Sequence, residues 1–256
     1  MESLNFIFDG ITSESKDLNI VRMSSGLVQD PYMGSKSVIE TEVFGKDVPY
    51  FHGVEKKVIE FTLQMSPYES TWTPEKRYEI ARWLLHDTYK SFQSLSDLTK
   101  YYYVICVNGD NIFHTNDNGY VELTFRTNAP YAFSPIYLNE YDLSANTTTD
   151  TIQIENGSNI NDYYYPKVEI GLAGTTTGIT LKNLSDGNRE FSFTGLSSGE
   201  TISVDNENKY ILSDMPSVYR FSKFNKNWFR LVYGINQIEV TGECVITVKT
   251  QFPIIQ

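Results

Sequence analysis

The chain has 256 residues, 40% of them hydrophobic and 14% aromatic, which is enough apolar material for two folded domains and excludes a largely disordered chain. Its 21 basic and 32 acidic residues give a formal charge of -11, which repels phosphates and argues against sequence-specific nucleic-acid binding. Residues 1–10 lack the basic and apolar regions of a signal peptide, and no uncharged apolar run reaches about 18 residues, so we expect neither secretion nor a membrane span.

Short segments rich in Val, Ile, Thr, Tyr and Phe recur between clusters of Gly, Asn and Asp, and this pattern predicts a mainly β, antiparallel protein. One helix is predicted among the strands. Thr73 is a favourable N-cap, Pro74 suits the first helical position, and Glu75 places an acid where the helix dipole favours one. The apolar side of this helix is predicted to contain Ile80, Trp83 and Leu84 and to continue through Asp87–Tyr89.

Two Asn-Gly pairs predict turns after the helix. Asn108-Gly109 is a favoured type I′ pair, and we expect it to join a strand at Tyr101–Val107 to one at Ile112–His114. Asn118-Gly119 precedes the segment Tyr120–Phe125, in which alternate apolar side chains share one face of a strand. Hairpin-connected strands are therefore predicted for this region.

A polar range separates the two halves of the chain. Asn139–Thr151 offers little to bury, and we predict it as a linker between a first domain, 1–138, and a second domain, 152–256. In the second domain, Ser185–Asn188 is predicted to turn the chain between two strands. The strands of this domain are predicted at Ile179–Leu184, Arg189–Thr194, Thr201–Val204, Trp228–Val232, Gln237–Thr241 and Cys244–Thr250.

Residues that could catalyse a reaction or bind a metal are sparse. His52, His86 and His114 have no second His or Cys at a metal-ligand spacing, so we expect no metal and no cofactor. Cys106 and Cys244 each lie in a strand-like run and are predicted to be buried free thiols. There is no G-x-S-x-G nucleophile motif and no phosphate-binding loop, and nothing in the sequence predicts an enzyme.

Two polar clusters, Asn116–Asn118 and Asp205–Asn208, contain residue types that can bind calcium. Neither has the alternating acids and the closing bidentate Glu of a calcium loop. Because Asn and Asp are also the residues that turns require, both clusters are predicted as turns.

Aromatic clusters are the remaining candidates for a binding site. Alternate residues of a strand point to opposite faces, so at least one Tyr of Tyr101–Tyr103 and one of Tyr163–Tyr165 is expected to face outward. An outward ring can stack on a sugar or on a protein partner, whereas the alternative is core packing with the hydroxyl at the rim. The candidate surface aromatics of the second domain are Tyr163, Tyr164 and Trp228.

The sequence resembles a known family at both ends. The segment Phe6–Ser13 reads F-x-F-D-G-x-x-S, which is similar to the start of siphophage distal tail proteins, particularly those of phages that infect Gram-positive hosts. The resemblance continues, in the family's order, through Arg82-Trp83-Leu84, Gly119–Phe125, Ala129–Ser134, Asn156-Gly157-Ser158, Tyr165–Ile170, Leu196–Asp205 and Leu231–Asn236. It therefore spans nearly the whole chain.

This resemblance implies two β-sandwich domains in a virion structural protein made in the host cytoplasm. The first domain, with one helix and a projecting hairpin or arm, is expected to form homo-hexameric rings, single or stacked, around a DNA channel. The ring is expected to join the major tail tube protein to the tail fibre or tail-associated lysin. We place part of the arm at Val38–Lys57, from its position alone.

The second domain is expected to be a galectin-like or carbohydrate-module-like sandwich. Its candidate partners in host adsorption are a receptor-binding protein or a host cell-wall saccharide. Two other hypotheses stay open. A saccharide-binding adhesion module or secreted lectin is disfavoured by the missing signal peptide. A polysaccharide depolymerase needs two acids at a catalytic separation in one cleft, and the sequence identifies none.

Overall fold

The structure is a computed structural model that describes residues 5–21, 34–115 and 118–255, without the side chains of residues 110–115. It separates into two compact units, Met1–Ser134 with Ile254–Gln256, and Pro135–Pro253. The division therefore falls between residues 134 and 135, before the predicted linker. The linker range Asn139–Thr151 carries the ends of two strands of the second unit instead.

The first unit contains one α-helix and ten complete strands among the described residues. Its elements are β1 Phe6–Phe8, β2 Ile11–Thr12, β3 Asn19–Ile20, β4 Lys36–Thr41, β5 Tyr50–Lys56, β6 Glu60–Ser66, α1 Pro74–Leu84, β7 Lys90–Ser94, β8 Asp97–Thr115, β9 Asn118–Thr127 and β10 Ala132–Phe133. Strands β4 and β5 pair only with each other, and the main sheet has the order β2-β1-β7-β8-β9-β6-β3. Every pairing in this order is antiparallel.

The main sheet of the first unit folds over on itself. Strands β7 and β6 are separated by two other strands, so in a flat sheet they would lie about 14 Å apart. The rings of Phe92 in β7 and Phe61 in β6 are nevertheless 5.3 Å apart. The two ends of the sheet therefore enclose one aromatic core, which also contains Phe6, Phe8 and Phe125.

Helix α1 packs on this core in the way the sequence predicts. The side chain of Thr73 accepts a hydrogen bond from the Lys76 amide, and Ile80, Trp83 and Leu84 are buried. The ring of Trp83 stacks on Phe6 at 5.6 Å. The helix ends at Leu84, so the predicted continuation through Asp87–Tyr89 is wrong.

The turn predicted at Asn108-Gly109 is also wrong, because β8 runs through it to Thr115. The pairing of β8 with β9 shifts register twice around Asn108, which marks a bulge. A Cβ on Gly109 would lie 2.8 Å from the Cδ2 atom of Leu123, so this glycine permits a close approach to β9. Thr115 pairs with Asn118 instead, and residues 116–117 lie outside the described residues.

The second unit is a β-sandwich of two antiparallel sheets. Its strands are β11 Tyr137–Leu143, β12 Thr149–Asn156, β13 Lys167–Leu172, β14 Gly178–Asn183, β15 Arg189–Thr194, β16 Thr201–Asp205, β17 Tyr210–Ser213, β18 Gly234–Thr241 and β19 Cys244–Thr250. The last strand of the chain, β20 Pro253–Ile254, is not part of this sandwich and belongs to the sheet that contains β10. One sheet has the order β11-β19-β13-β16-β17 and the other β12-β18-β14-β15. Alternate side chains of β13, β14 and β19 are buried, which confirms the predicted period of two.

The predicted turn between β14 and β15 is confirmed. Gly187 and Asn188 both have positive φ, 59° and 61°, and the Arg189 amide donates to the Asp186 carbonyl at 3.1 Å. These are the features of a type I′ hairpin turn, which glycine and asparagine adopt at little cost.

The strand predicted at Trp228–Val232 is wrong, since only Leu231 makes a bridge there, to Tyr164. The fully buried Asn236 binds the backbone instead. Its Oδ1 accepts from the Val232 amide at 2.9 Å, and its Nδ2 donates to the Val232 carbonyl at 2.9 Å. Backbone groups satisfied by a side chain are not available for a strand ladder.

Two smaller expectations can also be compared with the structure. Cys106 and Cys244 are free thiols, as predicted; Cys244 is buried, and burial raises its pKa to about 11, whereas Cys106 is only partly buried. Among the described residues, no helix is long and apolar enough to cross a membrane.

Candidate assembly interface

The most distinctive surface of the first unit is the hairpin of β4 and β5, which we call the arm (Lys36–Lys56). No side chain of its two strands is buried. Val38, Phe51 and Val54 are 58%, 66% and 44% exposed. Apolar side chains grouped in this way on a surface are typical of a protein-binding site.

The tip of the arm is also apolar. The Lys46 amide donates to the Val43 carbonyl at 3.0 Å, and Gly45 has a φ of 83°, as the third position of a type II turn requires. This turn holds Phe44 outside the fold with its side chain fully exposed, and Val48 is 77% exposed. The tip therefore offers an aromatic ring that no described residue covers.

The strand register sorts the arm residues onto two faces. Directly opposed residues of an antiparallel pair lie on the same face. Val38 faces Val54, and beyond a bulge Glu40 faces Phe51. We call this side, which begins at Lys36, the Val38 face. The opposite side carries Thr41 and Tyr50.

A two-stranded hairpin without a packed face is marginally stable in water. Among the residues that the structure describes, the arm has no packed face, because its strands form a separate sheet and contribute nothing to the core of the first unit. The position of Val38–Lys57 in the chain predicted the arm as a segment, but it did not identify exposed apolar residues such as Val38, Phe51 and Val54.

The three aromatic residues predicted as a surface site differ in exposure, because Tyr164 and Trp228 are partly buried and Tyr163 is exposed. Tyr164 packs against the core at 4.9 Å from the Phe252 ring, and burial raises its pKa to about 12. Trp228 also packs on the core, 4.9 Å from the Phe224 ring. Tyr163 alone is exposed, at 46%.

The exposed Tyr163 ring already has a partner on one face. The guanidinium of Arg230 lies 3.6 Å from the ring centroid and donates to both carboxylate oxygens of Asp186, at 2.7 and 3.1 Å. A sugar could reach only the other face. Saccharide binding by the second unit therefore stays a prediction.

The remaining candidate residues have structural partners. His52 hydrogen-bonds Thr41 at 2.8 Å, and His86 stacks on Phe8, while the side chain of His114 lies outside the described residues. The predicted turn at Asp205–Asn208 is closed by the Asn208 amide, which donates to Asp205 at 2.9 Å. In the described parts of the chain, no three His, Cys, Asp or Glu residues are grouped to hold a metal.

The Tyr101–Tyr103 triple is likewise part of the fold. Tyr102 is buried in the core, and Tyr103 packs edge-on against Phe133 at 5.6 Å. Of the described features singled out in the sequence, the arm is therefore the one that groups several exposed apolar side chains.

Comparisons with known proteins agree with an assembly role. Residues 1–129 match a sequence family described as phage tail protein N-terminal domain, and residues 131–250 match one described as phage tail C-terminal domain. The chain belongs to this family of phage tail proteins. It is a structural tail protein and not an enzyme.

Two relatives extend the match along the whole tail protein. It is 28% identical over 254 residues to the SPbeta prophage-derived uncharacterized protein YomH of Bacillus subtilis (strain 168), covering 98% of both chains. Its fold is similar to that of SPP1 Dit, whose structure is described as a paradigm of the hub adsorption apparatus in phages that infect Gram-positive hosts. That match has a TM-score of 0.70 at 13% identity and covers 97% of this chain and 98% of the other.

These findings confirm the predicted mainly β fold and the resemblance to distal tail proteins. The likeness to SPP1 Dit is one of fold, because the sequences share 13% identity. The galectin-like character predicted for the second unit stays a prediction.

Proposed function

We propose that this tail protein is the hub subunit of a long, non-contractile phage tail tip, where six copies close into a ring. The ring joins the tail tube protein to the tail fibre or tail-associated lysin and leaves an axial channel for DNA. In this proposal the protein is made in the host cytoplasm and lies at the tip of the virion tail. The family match and the fold shared with SPP1 Dit support the placement in the tail.

The observation that carries the proposal is the arm. A ring uses two different patches on each subunit, so each copy needs one surface that projects and another that receives it. The arm is such a projecting surface, with exposed apolar residues and two open strand edges. An open edge and an uncovered apolar face are both liabilities for a monomer, and both are removed when another chain covers them.

The overall charge suits a channel for DNA. The formal charge of -11 gives a field that repels phosphates, so a channel wall made from this chain holds DNA weakly. Weak holding favours passage because DNA must slide past the wall without stopping. No residue is assigned to the channel in this proposal.

The test removes the arm without touching the core. Lys36 and Lys56 face each other across the hairpin, so residues 37–55 can be replaced by the dipeptide Asn-Gly, which closes such a pair as a tight turn. Light scattering over a concentration series, with negative-stain images, gives the mass and shape of the wild type and of this variant.

We expect six-subunit rings from the wild type and monomers from the shortened variant, with equal melting temperatures at concentrations low enough that both are monomers. Equal melting temperatures show that the fold survives the deletion. Intact rings from the shortened variant would contradict the role of the arm. A wild-type protein that stays monomeric at every concentration would contradict self-assembly into a ring.

A further inference from the structure

Helix α1 carries apolar side chains on the side that faces away from its core. Tyr78 and Leu85 are 71% and 52% exposed. Tyr78 lies on α1, and Leu85 directly follows the last helical residue, where the backbone is extended. Glu75 and Arg82 lie on the same face of α1 as Tyr78, three residues before it and four residues after it. We call these four residues the helix stripe.

The helix stripe and the Val38 face have opposite charge patterns. Along the Val38 face the order is a cation, Lys36, then Val38 with Val54, then an anion, Glu40, beside Phe51. The helix stripe runs from an anion through Tyr78 to a cation, with Leu85 at its far end. A cation meets an anion at both ends when the two surfaces are laid in the same direction.

The spacing of the charges also agrees. Lys36 and Glu40 are four strand residues apart, or about 13 Å. Glu75 and Arg82 are seven helical residues apart, or about 10 Å, and flexible side chains span the difference. None of these four side chains makes a hydrogen bond or ion pair with another described residue. Their charges are therefore available to a second chain.

We propose that the Val38 face of one copy packs on the helix stripe of the next copy, with Lys36 against Glu75 and Glu40 against Arg82. This inference rests on the proposed ring and names its two contact surfaces. Val38 and Val54 then cover the Tyr78 ring, and Phe51 lies beside Leu85 and the Arg82 guanidinium. An arginine against an aromatic face gains a cation–π contact in addition to the ion pair.

The two surfaces together satisfy what a closed ring requires. They are different patches of the same unit, so each copy can give its arm to one neighbour and receive the arm of the other. Alternative occupants of the arm, such as the tail tube protein, do not require the helix stripe. The helix stripe is therefore the part of the proposal that an experiment can isolate.

The test exchanges charges between copies. Glu40→Arg and Arg82→Glu are made singly and together, and assembly is followed by light scattering over a concentration series. Each single variant places like charges in contact, and we expect the concentration for half-assembly to rise at least about tenfold. Glu55→Arg is the matched control, because Glu55 is an exposed acid on the other face of the arm. It should assemble like the wild type.

Mixing the two single variants gives the decisive result. An arm with Glu40→Arg meets a helix stripe with Arg82→Glu, and the unmodified arm and stripe also match, so an alternating ring of six is restored. We expect rings from the equimolar mixture and from the double variant. Single variants that assemble like the wild type would overturn this contact while leaving the proposed ring intact.

Two further outcomes would also count against the contact. Restoration in the double variant without restoration in the mixture would show that the charges meet within one chain. Dissociation that neither the double variant nor the mixture repairs would show that Glu40 and Arg82 do not face each other. A wild type that never assembles would instead contradict the proposed function itself.

Discussion

Replacing Glu200, which directly precedes β16, by Gln should destabilise the second unit. Glu200 is fully buried, and its carboxylate accepts from Arg220 Nε and Nη2 at 2.7 Å each. It also accepts from the Ser213 hydroxyl at 2.6 Å and from the Ser197 amide at 2.8 Å. Gln keeps the shape of Glu but presents an amide group to the guanidinium, which leaves the Arg220 charge without its counter-ion.

The size of the effect follows from the pKa of Glu200. Burial alone would raise this pKa, but the hydrogen bonds from Arg220, Ser213 and Ser197 outweigh it and lower the pKa from 4.5 to about 2. A lowered pKa means that the folded state binds the proton more weakly than the unfolded state. The charged form therefore contributes about 3 kcal/mol at neutral pH, and breaking a buried ion pair costs a similar amount.

The lowered pKa of Glu200 also determines how the stability of the second unit changes with pH. The contribution is fully present above pH 4.5, the unfolded value, and is lost as the pH falls towards 2. The difference in unfolding free energy between wild type and Glu200→Gln should thus be about 3 kcal/mol at pH 7 and shrink towards pH 2. Hydrogen exchange of β16 peptides in a urea series, read by mass spectrometry, measures it in the second unit alone.

Glu169→Gln is the matched control for Glu200→Gln. Glu169 is an exposed acid of β13, and it accepts one hydrogen bond, from Ser203 at 3.2 Å. The same chemical change there should cost less than about 0.5 kcal/mol at any pH. The reasoning is refuted if the two variants lose equal stability, or if the loss in Glu200→Gln does not change with pH.

Three further substitutions probe other parts of the fold. Phe6→Ala removes one ring from the aromatic core of the first unit and should lower the free energy of unfolding by about 4 kcal/mol. Calorimetry would show this loss as a lower melting temperature. Asn236→Ala leaves the Val232 amide and carbonyl without partners, so about 3 kcal/mol is expected from urea unfolding, and retained stability would contradict the assigned bonds. Arg230→Lys keeps the charge but loses the two hydrogen bonds to Asp186. The free energy of opening of β14, measured by hydrogen exchange, should fall by about 1 to 2 kcal/mol.

The sequence predicted correctly those elements whose structure depends on residues that are close together in the chain. The start of α1 depends on Thr73 and Pro74, and the turn after β14 depends on Gly187 and Asn188, which all act within a few residues. The turn predicted at Asn108-Gly109 is absent because Gly109 is required for a contact with a residue that is distant in the sequence. Gly109 is needed where β8 approaches Leu123, and no local pattern carries that information.

The arm shows a second limit of prediction from sequence. Burial patterns identify strands by the alternation of buried and exposed positions, but both faces of the arm are exposed in this chain. The apolar residues of its Val38 face therefore look like ordinary strand residues in the sequence. Only the structure shows that none of the described residues of this chain covers them.

Helix α1 connects the fold to the proposed assembly, because it is apolar on two sides. Ile80, Trp83 and Leu84 face the core, whereas Tyr78 and Leu85 face outward. A helix that served the core alone would place polar residues at these two outward positions. The proposed contact would cover both of these exposed apolar residues. Since the two sides use different residues, substitutions in the helix stripe should change assembly while leaving the stability of the first unit nearly unchanged.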